Sequence, residues 1–183
     1  MRGSRTVQCL TNCLAVTAIN ASAIGGGTLL MDQIGSIDGA SIDASDLIAN
    51  QIFEFDFSVY DVGCIDDFTV DTSTVITSVE MVLAGWNGYS DASAVQGIQV
   101  NLYSDPNQAA VTLVGDIGSY ETSAAPILNP DWQLPDSELI AVNFSPYWAI
   151  PNGNLYISIT PINEFGTNGQ TGVLPSILGD DIS

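Results

Sequence analysis

Hydrophobic and polar residues alternate along much of the chain after Gln51. In the first such run, Phe53, Phe55, Phe57 and Val59 take every second position, with acidic or small polar residues between them. Further alternating runs cover 75–83, 98–103, 140–144 and 155–160. A two-residue period is typical of antiparallel strands that place one face on a core and the other in water. The pattern predicts a strand over 51–59 and another over each later run.

Two runs predict which side chains face the core. The run over 75–83 places on one face Val75, Thr77, Val79, Met81 and Leu83. The run over 62–70 gives a common phase to Val62, Cys64, Phe68 and Val70. Asp66 falls in that same apolar phase, so we expect its carboxyl group to point inward.

Turn-forming residues separate the runs, at 85–88, 104–107, 129–131 and 151–153. No long helical period appears between them. The sequence therefore predicts an all-β fold, a single antiparallel β-sandwich of jelly-roll-like type. The 183 residues fit one domain. We assign it to 24–183, with 24–50 as a loop-rich N-terminal segment and the stretch from Gly166 onward as a loop.

The first 23 residues have the pattern of a signal peptide. Arg2 and Arg5 form a positive start, a mostly apolar stretch follows from Val7 to Ile19, and 21–23 reads Ala-Ser-Ala. The pattern predicts a secreted protein, extracellular or at the cell surface, with cleavage after residue 23. The alternative is a cytosolic chain whose first residues come from an expression vector. No later stretch is apolar enough to predict a transmembrane segment.

Charge limits the chemistry and the partners of this chain. It carries 21 acidic residues, two basic residues and no histidine, for a net charge of −19, and no cationic side chain follows Arg5. This charge repels nucleic acid and anionic membranes. Without histidine, the chain has no serine–histidine or cysteine–histidine nucleophile and no histidine ligand for zinc. Each carboxyl group must be solvated, accept hydrogen bonds, bind a cation or be protonated.

Calcium is the cofactor that this composition favours, because Ca²⁺ prefers carboxylate and carbonyl oxygens. The candidate metal ligands form two groups in sequence: Asp38, Asp43 and Asp46, then Asp61, Asp66 and Asp67. Neither group has the spacing of an EF-hand loop. The alternative is that these residues form solvated acidic loops.

Aromatic residues in predicted loops are candidates for ligand binding. They are Trp86, Tyr89, Trp132, Tyr147 and Trp148. Aromatic rings stack on the apolar faces of sugars, and sandwich folds carry binding sites at loop tips. The alternative is that these rings cover the ends of the sandwich as part of its core.

Four short motifs resemble those of a known family. The sequence reads Ile-Asp-Asp-Phe-Thr-Val at 65–70, Ile-Thr-Ser-Val at 76–79, Val-Asn-Leu-Tyr-Ser-Asp-Pro at 100–106 and Leu-Tyr-Ile-Ser-Ile at 155–159. With these motifs, 51–161 resembles bacterial exported β-sandwich domains of the kind found in PEP-CTERM-sorted proteins. The sorting signal itself is absent from the C-terminal residues. The resemblance implies a β-sandwich fold and export, and it implies no defined catalytic function.

These observations predict a non-catalytic extracellular or cell-surface protein that acts by binding a glycan or a surface, with calcium assisting. A first alternative is a self-assembling subunit of an extracellular filament or surface layer. Its partners would be copies of itself, joined by strand complementation at an open sheet edge. A second alternative is a carboxylate-based hydrolase, such as a glycoside hydrolase with a pair of acidic residues.

Overall fold

The computed structural model describes residues 17–23, 26–109, 112, 114–123 and 125–178. Within these residues the strands follow in the order β1 (Thr17–Ala23), β2 (Gly26–Asp32), β3 (Ile48–Ala49), β4 (Asp66–Val70), β5 (Thr74–Trp86), β6 (Gly97–Tyr103), β7 (Gly118–Thr122), β8 (Ile127–Leu128), β9 (Glu138–Ile150), β10 (Gly153–Ile162) and β11 (Gln170–Val173). The helices are short: two 3₁₀ helices, Phe55–Tyr60 and Ala92–Ala94, and two single turns, α1 (Pro106–Ala109) and α2 (Phe165–Asn168).

The strands form two antiparallel sheets. The larger sheet has the order β2-β1-β5-β11-β3, with β9 on the opposite edge of β5 and β8 beside β9. The smaller sheet has the order β4-β10-β6-β7. The prediction of an all-β antiparallel sandwich is confirmed. None of the helices in the described ranges is long and apolar enough to cross a membrane.

The main core lies between the two sheets and receives alternate side chains from both. Leu102 on β6, Ile157 on β10 and Leu83 on β5 are among its fully buried members. A second apolar cluster joins Val82 and Ala84 of β5 to Ile34, Ile42, Leu139 and Leu174. The central strand β5 is therefore buried on both faces. The predicted loop-rich segment 24–50 contributes two members of this second cluster.

One detail of the predicted register in β5 is wrong. Ile76 is fully buried in the main core, whereas Val75 is only half-buried. The pairing with β9 shifts between Ile76 and Ser78, because Ile76 pairs with Trp148 and Ser78 with Asn143. Because of this β-bulge, the even-numbered Ile76 before it points to the same face as the odd-numbered Val79 and Met81 after it. Val79 and Met81, beyond the bulge, face the core as expected.

The predicted strand over 51–59 is also wrong, because the chain is a 3₁₀ helix from Phe55 to Tyr60. Phe55 is 90% exposed, although the alternation placed it beside Phe53, which is buried. The backbone N–H of Phe57 donates to the carbonyl of Glu54 at 2.9 Å, within the chain segment itself. Backbone donors that a neighbouring strand would have paired are therefore satisfied locally.

The C-terminal stretch after Gly166, predicted as a loop, contains a strand. β11 pairs with β3 on one side and with the end of β5 on the other. Gly169 has a φ of 71°, and a Cβ added to it would lie against the backbone nitrogen of Tyr89 and 2.7 Å from the carbonyl oxygen of Trp86. A Cβ would clash at this position, so glycine permits the tight turn that brings β11 onto the sheet.

The first 16 residues of the predicted signal peptide lie outside the described residues. The remaining seven form β1, which pairs with β2 on one side and with β5 on the other. Cleavage after Ala23 would therefore remove an internal strand of the larger sheet. Export stays a prediction, and the position of cleavage determines whether the mature chain keeps this strand.

Candidate binding pocket

A pocket of about 780 Å³ opens beside the 3₁₀ helix, at the β3 edge of the larger sheet. Its apolar lining comes from Phe53, Phe57, Val59, Tyr60, Val62 and Phe165, and the rest from Ala49, Gln51, Gln170 and Thr171. The volume falls in the range of pockets that hold small organic ligands, about 300–1,000 Å³. A mostly apolar lining with a few polar groups is also typical of such pockets.

Two carboxyl groups hold the aromatic wall in place. Asp61 is 2% exposed, and its Oδ1 accepts a hydrogen bond of 2.8 Å from the backbone N–H of Phe53. Glu54 accepts hydrogen bonds from the backbone N–H groups of Phe165 at 2.8 Å and Gly166 at 3.3 Å. Together they fix the backbone on both sides of the pocket, although Glu54 and Phe165 lie 111 residues apart in sequence.

The Glu54 carboxylate is ionised at neutral pH. Desolvation alone would raise its pKa, but hydrogen bonds from the backbone N–H groups of Phe165, Gly166 and Glu54 itself together outweigh that effect. The pKa of Glu54 is therefore lowered from its ordinary value. The negative charge of Glu54 therefore lies against the backbone of Phe165, whose ring is part of the aromatic wall.

Four aromatic rings meet at steep angles around the pocket. The ring centroids of Phe53 and Tyr60 are 6.5 Å apart, those of Phe53 and Phe165 6.2 Å, and those of Phe57 and Phe165 5.5 Å. The interplanar angles lie between 61° and 70°. Edge-to-face packing of this kind is a favoured geometry for aromatic pairs and contributes about 0.5–1.5 kcal/mol per pair.

A buried polar network supports the floor of the pocket. Gln51 is 1% exposed and its Nε2 donates to the carbonyl of Asn163 at 3.1 Å. Its Oε1 accepts from the backbone N–H of Thr171 at 2.7 Å. The Thr171 hydroxyl donates to the carbonyl of Asn50 at 2.8 Å, and the Asn50 amide donates to the carbonyl of Ile159 at 2.8 Å. The network joins the segment before the 3₁₀ helix to β10 and β11.

The six candidate calcium ligands do not converge. Within the described ranges, no three Asp, Glu or Cys side chains are grouped in a way that would hold a metal ion. Asp38 accepts a hydrogen bond from the backbone of Ala40, and Asp46 is exposed. Asp43 accepts from both the hydroxyl and the backbone N–H of Ser45, which lower its pKa. These carboxylates shape local turns, and calcium binding stays a prediction.

The other three candidate ligands lie on or near the smaller sheet. Asp66 is buried, as its phase in β4 predicted, and its Oδ1 accepts from the backbone of Asp67 at 3.0 Å and from the Gln33 amide at 3.5 Å. Asp67 is half-buried and lies opposite Tyr156 of β10. Asp61 belongs to the aromatic pocket, where it anchors Phe53 as described above.

Four of the five candidate ligand-binding aromatics pack against the body of the sandwich. Trp86 is half-buried and lies against Gly172 of β11. Tyr89 is half-buried against the main core and donates to Glu138 at 2.9 Å. Desolvation first, and then the charge of Glu138, raises the pKa of the Tyr89 hydroxyl, so it remains a donor.

The remaining aromatics lie at two other places. Trp132 packs on the second apolar cluster and its Nε1 donates to Ser137 at 3.0 Å. Trp148 packs against the main core, edge-on to Phe144 at 5.3 Å and 2.9 Å from the position that a Cβ on Gly118 would take. Tyr147 alone of the five is exposed, at 63%. None of the five lines the pocket.

Two carboxyl groups of like charge lie on opposite sides of β1 in the larger sheet and repel each other. Glu80 on β5 and Asp32 on β2 both pair with Ala18 of the intervening strand β1. Desolvation first, and then the charge of Asp32, raises the pKa of Glu80. No cationic side chain after Arg5 is available to relieve this repulsion.

One feature of the sequence indicates the pocket, although its alternation predicts a strand instead. Three of the chain's six phenylalanines lie between 53 and 57. The contribution of Phe165 to the same pocket follows only from the tertiary contact with Glu54.

Comparisons of the chain with protein-family models, with curated proteins and with solved structures found no match. The resemblance to exported bacterial sandwich domains therefore stays a prediction.

Proposed function

We propose that this chain is a non-catalytic extracellular or cell-surface protein that binds a ligand in the aromatic pocket. The observation that carries the proposal is the pocket itself, about 780 Å³ with six apolar side chains in its lining. A concave, mostly apolar lining with a few polar groups is the usual form of a small-molecule site. The pocket replaces the loop aromatics as the proposed site, because four of those aromatics serve the packing of the sandwich.

The construction of the pocket supports a binding role. Its wall is anchored by Asp61 and Glu54, and its floor by the hydrogen bonds of Gln51. A rigid and preformed site loses little conformational entropy when a ligand enters, which favours affinity. The rings of Phe57 and Tyr60 are 36% and 65% exposed, so a ligand in the pocket can contact them directly.

The neutral dye Nile red tests the proposal without assuming the charge of the ligand. We expect a saturable rise in dye fluorescence at one site per chain. The variant Phe57→Ala should weaken this binding at least about tenfold, because it removes one of the four rings of the aromatic wall and its contact with the ligand. Tyr147→Ala, which removes an exposed ring outside the pocket, is the control and should bind like the parent. Equal affinities for both variants, or no saturable binding, would refute the proposal.

Self-association is a second candidate, favoured by the outer side of the 3₁₀ helix. Phe55 is 90% exposed and does not line the pocket. Exposed aromatic side chains are enriched in protein interfaces. A net charge of −19 opposes contact between copies, so association should require salt or divalent cations. Sedimentation velocity at low and high salt tests this candidate. Growth at high salt that Phe55→Ser abolishes would support it, and a monomer under all conditions would exclude it.

A further inference from the structure

The chemistry of the pocket indicates which class of ligand it accepts. All four rings of the wall, those of Phe53, Phe57, Tyr60 and Phe165, line the cavity. The face of an aromatic ring carries partial negative charge, which attracts a cation placed within about 6 Å of the ring centre. Several rings set at steep angles around one cavity can present this charge to a single guest. Such aromatic cages are the usual sites for quaternary ammonium groups.

Acidic residues flank the rings of the cage along the chain. Glu54, Asp56 and Glu164 each adjoin a ring of the wall in sequence, and the last two are exposed. Glu54 is fixed against the backbone of Phe165 by its hydrogen bonds. No cationic side chain follows Arg5 in the sequence, so nothing in this part of the chain neutralises the field at the pocket. The field attracts cations and repels anions.

Two other ligand classes fit this pocket less well. An inorganic divalent ion requires several oxygen ligands, and no set of three acidic side chains converges anywhere in the described chain. A neutral apolar molecule would fill the cage but gain nothing from the carboxylates or from the charge on the ring faces. An organic cation uses both features, since its positively charged methyl groups contact the ring faces and the negative field of the neighbouring carboxylates attracts it.

We propose that the pocket binds a quaternary ammonium group carried by a small organic cation of the choline type. This inference rests on the proposed binding function of the same pocket. The rings of Phe53, Phe57, Tyr60 and Phe165 form the cage, and Glu54 and Asp56, which adjoin its rings in sequence, supply negative charge. The cavity of about 780 Å³ leaves room for the remainder of the molecule beside the ammonium group.

The decisive comparison is between choline and 3,3-dimethyl-1-butanol, which has the same shape with carbon in place of the charged nitrogen. Titration calorimetry or ligand-observed NMR with the full chain measures both affinities. We expect choline to bind about three- to thirtyfold more tightly than the neutral alcohol. The preference should shrink between about 0.01 M and about 1 M salt, over which the Debye length falls from about 30 Å to about 3 Å.

Substitution of rings by leucine separates the cation contact from simple filling of the cavity. Phe57→Leu and Tyr60→Leu keep an apolar side chain but remove a ring face, so each should reduce the affinity for choline more than that for the alcohol. Tyr147→Leu, outside the pocket, is the control and should change neither. Asp56→Asn should weaken choline binding at low salt only. Urea denaturation of each variant verifies that the fold is retained.

The outcomes distinguish this inference from the function on which it rests. Tighter binding of choline that the ring variants abolish would support the inference. Equal affinity for both compounds, or binding of Nile red without binding of choline, would overturn the inference and leave the pocket as a binding site. Absence of Nile red, choline and alcohol binding would overturn the inference and the proposed function together.

Discussion

The buried amide of Gln51 provides a quantitative test of how the pocket floor is held. Gln51→Met keeps a side chain of similar length and volume but removes the donor and the acceptor. The backbone N–H of Thr171 and the carbonyl of Asn163 then lose hydrogen bonds that measure 2.7 and 3.1 Å. Both residues are 1% exposed, so water does not replace the lost partners.

The magnitude follows from the cost of leaving buried polar groups without partners. Each such group costs about 1–3 kcal/mol, and two groups give roughly 2–6 kcal/mol. Part of the loss is recovered because methionine is apolar and fits a similar volume. In a domain of this size, 1 kcal/mol shifts the melting temperature by about 2–4 °C. We therefore expect Gln51→Met to melt roughly 5–15 °C below the parent.

Urea denaturation followed by circular dichroism measures the free energy of unfolding directly. The midpoint should fall while the dependence on urea stays unchanged, because the surface exposed on unfolding is the same. Gln96→Met is the matched control, since Gln96 is exposed. We expect that variant to stay within about 0.5 kcal/mol of the parent. If Gln51→Met is equally harmless, the hydrogen-bond network beneath the pocket is refuted.

Three further predictions follow from the packing and charge of the sandwich. Glu80→Gln should raise the melting temperature at pH 7, because the raised pKa of Glu80 marks a charge that the folded state disfavours. In melting scans at a series of pH values, this gain should disappear as the pH falls through the raised pKa to below the unfolded value of 4.5, where both states are protonated. Trp148→Ala should lower the free energy of unfolding in urea by about 2–4 kcal/mol, whereas Tyr147→Ala should change it by less than about 0.5 kcal/mol; equal effects would contradict the placement of these rings. A chain that begins at residue 24 should melt at least several degrees below one that begins at residue 17, since it lacks β1; equal melting temperatures would show that the strand contributes nothing.

Local pattern was sufficient to predict the fold class and much of the core. The alternation over 98–102 and 155–159 placed Ile98, Val100, Leu155 and Ile157 in the main core, where the structure has them. It also indicated the inward carboxyl group of Asp66. These positions were predictable because a two-residue period leaves a strand only one way to bury its apolar face.

Pairing with distant strands decided the points on which the sequence predictions were wrong. The bulge opposite β9 places Ile76 in the core instead of Val75, and the local residue pattern of β5 does not predict this bulge. β11 was missed because its short, glycine-containing sequence becomes a strand only between β3 and β5. In both cases the partner strand supplies the hydrogen bonds, so the segment alone does not determine its own structure.

The sequence by itself determined that this chain is acidic, lacks histidine and alternates in strands, and therefore that it forms an antiparallel sandwich without histidine-based chemistry. Only the tertiary structure decided that the alternating segment after Gln51 becomes a 3₁₀ helix from Phe55 to Tyr60 at the side of a pocket. The physical reason is the source of its hydrogen bonds. The carboxyl group of Asp61 satisfies the Phe53 backbone, and that of Glu54 brings in Phe165 from the far end of the chain. A residue pattern records which side chains prefer to be buried, but not which distant groups will satisfy the backbone.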